Sequence, residues 1–429
     1  MKLLVLLTLS VLVTAKVSYR NYKLYKIIPK DEQALQFLKN LEDSSTELLR
    51  YQFWNEVTEV GNEVSLMVAP DTQNLIEAAL NESNVAQSVI MNDVQEVIDQ
   101  ENPKWRSGEA NPVDWTVYNT LEEINNWLEQ MVQEFPNQLE ILRPGKTGQG
   151  RDIVGVKLDF SPNVRKKTIF VESNIHAREW ITSATTTYIL DQFFRITDVE
   201  QRNIIEAYTW YFFPVMNPDG FVYSHETNRM WRKTRTRYNI FCYGADPNRN
   251  WGYQWMNGGA SQNPCSDIYA GPEPFSEPSV RVMKEFIETI AEDMVAYLDF
   301  HSFSQMLLLP FGHTIDHLNN YDEMKEIGRI AMDELEEVYG TDYVVGNVAE
   351  TIYIAAGSSM DWVKGEFNTS IAVTYELRDK GSYGFLLPAD QILPTAEETL
   401  VSVFSILREY RIRHPEDGDE STTSNVNLI

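Results

Sequence analysis

The sequence predicts an α/β domain, helices packed on the faces of a central sheet, preceded by a small α+β unit and a linker. Three observations carry that expectation. Beyond residue 113, short apolar runs of strand length alternate with amphipathic runs of helix length, the pattern of a sheet flanked by helices. Before residue 100 the same kinds of run recur on a smaller scale. Between the two, residues 100–112 are rich in Asn, Pro, Gly and charge and have no apolar period, as in a linker.

Taken in order, Met1-Lys2 leads into an apolar run over 3–13 that ends Val13-Thr14-Ala15. A charged start, a short apolar core and a small residue at the cut predict a signal peptide over residues 1–15, and hence a secreted, extracellular protein. A buried N-terminal helix is the alternative, but residues 16–30 are too polar and basic to continue one. The run is too short to span a bilayer, and no later uninterrupted apolar run reaches that length. In the small unit, 22–28 and 63–68 read as strands. Residues 31–41 read as a helix with Ala34, Leu35, Leu38 and Leu41 on one face, and 72–80 as a second helix. Val89-Ile90-Met91 and a polar end follow. The linker carries Lys104 and Arg106, which a trypsin-like protease could cut. A small domain ahead of an exposed basic linker is the layout of a zymogen, although an ordinary interdomain linker has the same composition.

The large domain begins near Val113. Thr120 and Glu123 form a capping-box pattern opening a helix over 121–135. Strands are expected at 152–158, 168–171, 209–215, 295–300 and 370–375, and helices at 180–194, 280–291 and 324–339. Asn217-Pro218-Asp219-Gly220 is a turn signal. Residues 415–429 are acidic and rich in Ser, Thr and Asn, so a disordered tail is expected. Asn81 and Asn368 head glycosylation sequons.

With 429 residues, 43% of them hydrophobic, the chain can hold two or more domains with a sizeable core. A formal charge of −27 argues against nucleic acid or an anionic membrane as the main partner, since both require a basic footprint. The two cysteines, Cys242 and Cys265, are expected to bridge in a secreted chain, with two free buried thiols as the alternative. Their spacing is wrong for a CxxC-type zinc site.

The chemistry centres on Asn174-Ile175-His176-Ala177-Arg178-Glu179-Trp180, which falls between a predicted strand and a predicted helix. Open α/β sheets place their ligand crevices at such strand ends. Imidazole and carboxylate are both zinc ligands, though a histidine and a glutamate three apart are common by chance. Of six histidines, only His301 also ends a strongly apolar strand. It could equally be a packed, hydrogen-bonded histidine. His176, Glu179 and His301 would leave a fourth position for water, the arrangement of a catalytic zinc. Glu179 is then a ligand, and Glu376, closing the strand 370–375, is the best-placed general base. Arg229, Arg232, Lys233, Arg235 and Arg237 crowd one segment, followed by Asn248-Arg249-Asn250-Trp251. This cluster is either a solvated face or a site for a carboxylate, which guanidinium binds bidentately.

These residues resemble the zinc carboxypeptidases of the pancreatic carboxypeptidase A/B family, in pro-enzyme form. The shared motifs are His176-Ala177-Arg178-Glu179-Trp180, Asn217-Pro218-Asp219-Gly220, Arg229-Met230-Trp231-Arg232-Lys233-Thr234-Arg235, Asn248-Arg249-Asn250-Trp251, His301-Ser302-Phe303-Ser304-Gln305, Thr351-Ile352-Tyr353 and Glu376-Leu377-Arg378-Asp379. They occur in family order over about 113–412. The N-terminal unit resembles the family's activation domain, including a helix ending Asp93-Val94-Gln95.

The resemblance implies a mixed, mostly parallel twisted sheet flanked by helices, after a small antiparallel α+β activation domain. It divides the chain into a signal peptide at 1–15, an activation propeptide at 16–106, a catalytic domain at 107–414 and a tail at 415–429. It implies one zinc ion per chain on His176, Glu179 and His301, with Asp246 orienting the first histidine. Glu376 matches the general base and Arg232 the stabiliser of the oxyanion. Asn248 and Arg249 match the grip on the substrate's terminal carboxylate, Arg178 an accessory guide, and Tyr353 a mobile tyrosine that closes over substrate. Cys242 and Cys265 fall where the family has its disulfide. The implied partners are peptide or protein C-termini and an activating trypsin-like protease, with no nucleic acid and no membrane.

The pocket for the terminal side chain is marked by Met360, with Val348, Gly312, Ala355 and Thr374 at neighbouring matched positions. An uncharged, flexible base predicts preference for apolar or aromatic C-terminal residues. A B-type or broad-specificity carboxypeptidase is the enzymatic rival, and a non-catalytic peptide-binding paralogue the rival of another class. Two features depart from the pancreatic pattern. Phe303 stands where tyrosine is frequent, and the spacing from Tyr353 to Glu376 is about one residue longer.

Overall fold

A computed structural model describes residues 16–43, 50–101 and 113–415. The predicted signal peptide, the linker with Lys104 and Arg106, and residues 416–429 of the tail lie outside those residues.

The N-terminal unit comprises β1 (Lys23–Pro29), α1 (Glu32–Asp43), β2 (Tyr51–Phe53), β3 (Val64–Val68), α2 (Gln73–Glu82), β4 (Val85–Met91) and α3 (Val94–Glu101). Its four-stranded sheet has the order β2-β3-β1-β4, with every pair antiparallel. Tyr25, Ile27, Leu66 and Val68 of the sheet share one core with Ala34, Leu35 and Leu38 of α1 and Ile76 and Leu80 of α2, as their periods of two and of three to four residues require. Two expectations are corrected. Asp93 does not end a helix but opens one, its Oδ1 accepting from the Gln95 amide at 2.9 Å. Residues 100 and 101, read as linker, are the last residues of that helix, where Glu101 is buried in an ion pair with Arg229.

The larger unit contains α4 (Leu121–Glu134), β5 (Leu139–Leu142), β6 (Gly155–Leu158), β7 (Thr168–Ser173), α5 (Trp180–Arg195), α6 (Val199–Ala207), β8 (Thr209–Phe213) and α7 (Pro218–Glu226). There follow α8 (Pro278–Ile290), β9 (Met294–Ser302), β10 (Met306–Leu309), α9 (Tyr321–Tyr339), β11 (Val344–Asn347), α10 (Val348–Thr351), α11 (Ser359–Phe367), β12 (Ile371–Leu377) and α12 (Ile392–Arg413). The eight strands run β11-β10-β12-β9-β7-β8-β6-β5. The centre, β12-β9-β7-β8, is parallel, and antiparallel pairs flank it. The capping box at Thr120 is present, with Glu123 closing it.

β7 and β9 are buried along their whole length, so they read as continuous apolar runs instead of alternating ones. Ile169 and Val171 of β7 pack on one face, in a core shared with α5, α9 and α12. Phe170 packs on the other, with α8 and α11. Asn217-Pro218 is a helix start: the Asn217 side chain caps the Gly220 amide at 3.0 Å and Pro218 occupies the first turn. Among the described residues no helix is long and apolar enough to cross a membrane. Cys242 and Cys265 are joined in a disulfide with Cα atoms 4.9 Å apart.

Candidate active site

Three buried side chains meet at the carboxyl ends of the two central strands. His176 and Glu179 stand in the loop between β7 and α5, and His301 is the penultimate residue of β9. Their ligating atoms lie within 4.8 Å of one another, forming a group able to hold a metal ion. Asn174 shapes the loop. It takes a left-handed backbone (φ 48°) that asparagine tolerates better than most residues. Its amide donates to Thr182 Oγ1 at 3.0 Å, and its Nδ2 donates to the Glu179 carbonyl at 2.9 Å.

The Glu179 carboxylate sits between the two imidazoles, 2.9 Å from His176 Nδ1 and 3.1 Å from His301 Nδ1. Each ring turns its other nitrogen to a further carboxylate: His176 Nε2 lies 3.0 Å from Asp246 Oδ1, and His301 Nε2 lies 3.1 Å from Asp299 Oδ2. Burial pushes the Glu179 carboxyl up, but the two histidines outweigh it and hold it well below the usual carboxylate range. Burial likewise lowers His301, and Asp299 and Glu179 raise it by more. Two nitrogens and one oxygen converging out of water, with a carboxylate beside the second nitrogen of each imidazole, are the donor set of a zinc site. The residues present fit that ion.

Strand pairing places the candidate base. Glu376 on β12 is the register partner of His301 on β9. Half-buried, it lines the same cavity, and burial above all pushes its carboxyl up to about 8, with His301 opposing and Glu179 and Asp299 adding. The arginines surround it. Arg232 gives Nε and Nη2 to Asp246 Oδ2 at 3.1 and 2.8 Å, so the carboxylate that orients His176 also holds this guanidinium. Arg249 donates to the Gly259 and Asn248 carbonyls and, through Nη2, to Glu56 Oε1 at 3.1 Å. Arg178 lies 3.9 Å over the Phe385 ring; its Nε and Nη1 have no hydrogen-bond partner among the described residues, and burial lowers it to about 10. Asn248 is turned inward, its Oδ1 accepting from the Ser359 amide at 2.9 Å and its Nδ2 3.2 Å from His301 Nε2. The Tyr353 ring lies 5.8 Å from the Arg249 guanidinium.

A cavity of about 460 Å³ joins these groups. Met360, Val348, Ala355 and Thr374 all line it, as do Leu308 and Ile352, which were not among the expected pocket residues. Gly312 abuts the same wall: a Cβ there would stand 2.4 Å from the Ala355 carbonyl. Phe303 also lines the cavity, edge-on to Phe385 with ring centroids 5.0 Å apart. The N-terminal unit forms part of the lining through Phe53, Trp54 and Glu56. It is fastened further out by Gln52 to Asp267 at 2.7 Å and by the buried pair Glu101–Arg229, whose Nε–Oε2 distance is 2.8 Å.

Sequence reasoning missed two carboxylates, Asp299 and Glu172, which are register partners on β9 and β7 and fully buried. The available signal was an acidic residue inside each strongly apolar strand. Glu172 is pushed up to about 8, first by burial and then by the charge of Asp299. Folding therefore retains a proton that the unfolded chain, titrating near the ordinary 4.5, releases. The associated stability is complete below that value and is lost as pH rises through about 8. Glu172→Gln should therefore lose less melting temperature than the parent between about pH 5 and pH 8; equal slopes contradict this.

An α/β sheet carrying a buried His–Glu–His group at the ends of its parallel strands defines a metalloenzyme. The zinc carboxypeptidase family matches residues 124–402, and the carboxypeptidase activation peptide matches residues 25–101. The chain is 42% identical over 398 residues to zinc carboxypeptidase A 1 of Anopheles gambiae, covering 92% of this chain and 91% of that one. It is 49% identical over 296 residues to a zinc carboxypeptidase of Simulium vittatum, covering 68% and 97%. The crystal structure of carboxypeptidase A from Helicoverpa armigera superposes with a TM-score of 0.82 at 26% identity, covering 91% of this chain and 98% of that one. The chain belongs to the zinc carboxypeptidase family, carries that family's activation peptide, and is a zinc metallopeptidase of exopeptidase type.

Proposed function

We propose that this is a secreted zymogen which, once its activation domain is cut away by a trypsin-like protease, hydrolyses the last peptide bond of peptides and proteins. The observation that carries the reading is one cavity lined by the metal-competent group, by Glu376 and by Arg249. His176, Glu179 and His301 would hold the zinc. Bound there, zinc polarises the scissile carbonyl and lowers the pKa of a coordinated water.

The remaining roles fall to the chain's own side chains. Glu376, desolvated and poised near neutrality, takes a proton from the attacking water and passes it to the leaving amine; a dication nearby brings its pKa down from the metal-free position. Arg232, fixed by Asp246, faces the negative charge that develops on the carbonyl oxygen. Arg249 grips the terminal carboxylate, and an exposed C-terminus is the only part of a chain that offers one. Arg178, with unpartnered N–H groups in the cavity wall, guides that carboxylate inward, and Tyr353 covers it. Asn248 shares the grip with Arg249: its oxygen is held by the Ser359 amide, which leaves its Nδ2 hydrogens to donate.

Met360, Val348, Ala355, Leu308 and Ile352 give the cavity an uncharged lining, which supports preference for apolar or aromatic terminal residues. The deciding experiment treats the protein with trypsin and assays peptides ending in Phe, Leu, Arg or Glu, with and without a zinc chelator. Release of Phe and Leu well ahead of Arg, abolished by chelation, is expected. Comparable rates for Arg and Phe would overturn the preference, and no chelator-sensitive release would overturn the enzyme.

Glu56 occupies Arg249 as a substrate carboxylate would. In the uncut protein Glu56→Gln should raise hydrolysis of a small peptide by about five- to thirtyfold, the population shift of 1–2 kcal/mol. An unchanged rate would show that bulk, not this ion pair, blocks the site.

A further inference from the structure

We propose that Asp299 is the positioning residue for His301, as Asp246 is for His176, and that Thr374 ties it to the floor of the side-chain pocket. The inference rests on the reading of His176, Glu179 and His301 as metal ligands.

Asp299 precedes His301 by two residues on β9, so both side chains point to the same face of the sheet. It has no exposed surface. His301 Nδ1 faces Glu179, so Nε2 is the nitrogen left to carry a hydrogen inward, and Asp299 Oδ2 stands 3.1 Å away to accept it. The other neighbour of that nitrogen cannot serve. Asn248 spends its oxygen on the Ser359 amide and presents Nδ2, itself a donor, at 3.2 Å.

Thr374 Oγ1 lies 3.0 Å from the same Asp299 oxygen and 3.3 Å from Met360 Sδ. One hydroxyl thus touches both the carboxylate behind His301 and the residue that closes the pocket. The second Asp299 oxygen has no hydrogen-bond partner among the described residues. A buried carboxyl group with one oxygen unpartnered is costly, and its hydrogen bonds to the His301 ring and Thr374 are what hold it in place. Such a partner fixes the ring plane and strengthens the ligating nitrogen, and losing one typically costs 10–100-fold in metal affinity.

The test uses the full-length zymogen. Zinc affinity is read by competition with a chromophoric chelator, and geometry by the visible spectrum of the cobalt-substituted protein. Asp299→Asn should weaken zinc about 10–100-fold and shift the cobalt bands while the metal-free melting temperature stays near the parent's. Asp299→Ser, smaller but still an acceptor, is the second variant and carries the test should the asparagine protein not fold. Thr374→Val, which frees Asp299 to turn, should weaken zinc by less. Unaltered affinity and spectrum in the folded Asp299 variants overturn the positioning role, and an unaltered Thr374→Val overturns the tie to the pocket. A parent that fails to bind one zinc per chain overturns instead the metal reading beneath both.

Discussion

Glu376→Gln is expected to lower kcat of the activated enzyme by about 10²–10⁴-fold, the range in which a positioned proton-transfer group contributes, while one zinc per chain is retained. Glutamine preserves the shape of the side chain and its place on β12 beside His301, its register partner on β9. It cannot accept the proton of the attacking water. The substitution also removes a carboxyl that burial pushes up to about 8, so the folded protein should not be destabilised by it. Zinc analysis and a melting curve on the same sample separate loss of the base from loss of the site. Full turnover in the variant would move the general base elsewhere.

Arg249→Gln, assayed after activation, is expected to lower kcat/KM for a free-acid peptide by at least about 30-fold, corresponding to 2 kcal/mol or more for removing one partner of a buried charge pair. The same peptide with a C-terminal amide should be a poor substrate for the parent and suffer little further loss in the variant. That non-additivity is the informative part, because two changes that remove one interaction do not sum. Activation has to come first, since in the uncut chain Arg249 holds Glu56 at 3.1 Å. Equal loss on acid and amide substrates would assign Arg249 a structural role.

How much of this was legible in the sequence follows from where each signal lies. His176 and Glu179 share one loop, and His301 ends a strand whose apolar run is unbroken, so rare chemical residues at strand ends were enough to propose the triad. The long central strands were found for the same reason. The sheet edges were not: β5, β10 and β11 span four residues each, too few for a period to emerge. The 22-residue α12 went unread because it buries Thr395, Thr399, Ser402 and Ser405 as well as apolar residues. Hydroxyls such as Thr399 Oγ1, which donates to the Thr395 carbonyl, satisfy themselves within the helix and erase the apolar stripe. Glu56 was beyond reach altogether, since its partner is 193 positions away. Asp299 was hidden for the opposite reason: two residues from a histidine already singled out, it was absorbed into a run read as pure core.

The central proposal is that this cavity removes the terminal residue of a peptide through a chelatable zinc. A mass-spectrometric time course tests it most directly, following a single peptide ending in Phe, and its C-terminal amide, with trypsin-activated protein before and after chelation and zinc restoration. The expected result is loss of the terminal residue alone from the free acid, with the amide resistant, activity gone on chelation and recovered with zinc. Internal cleavage, equal attack on the amide, or release that survives chelation would contradict it.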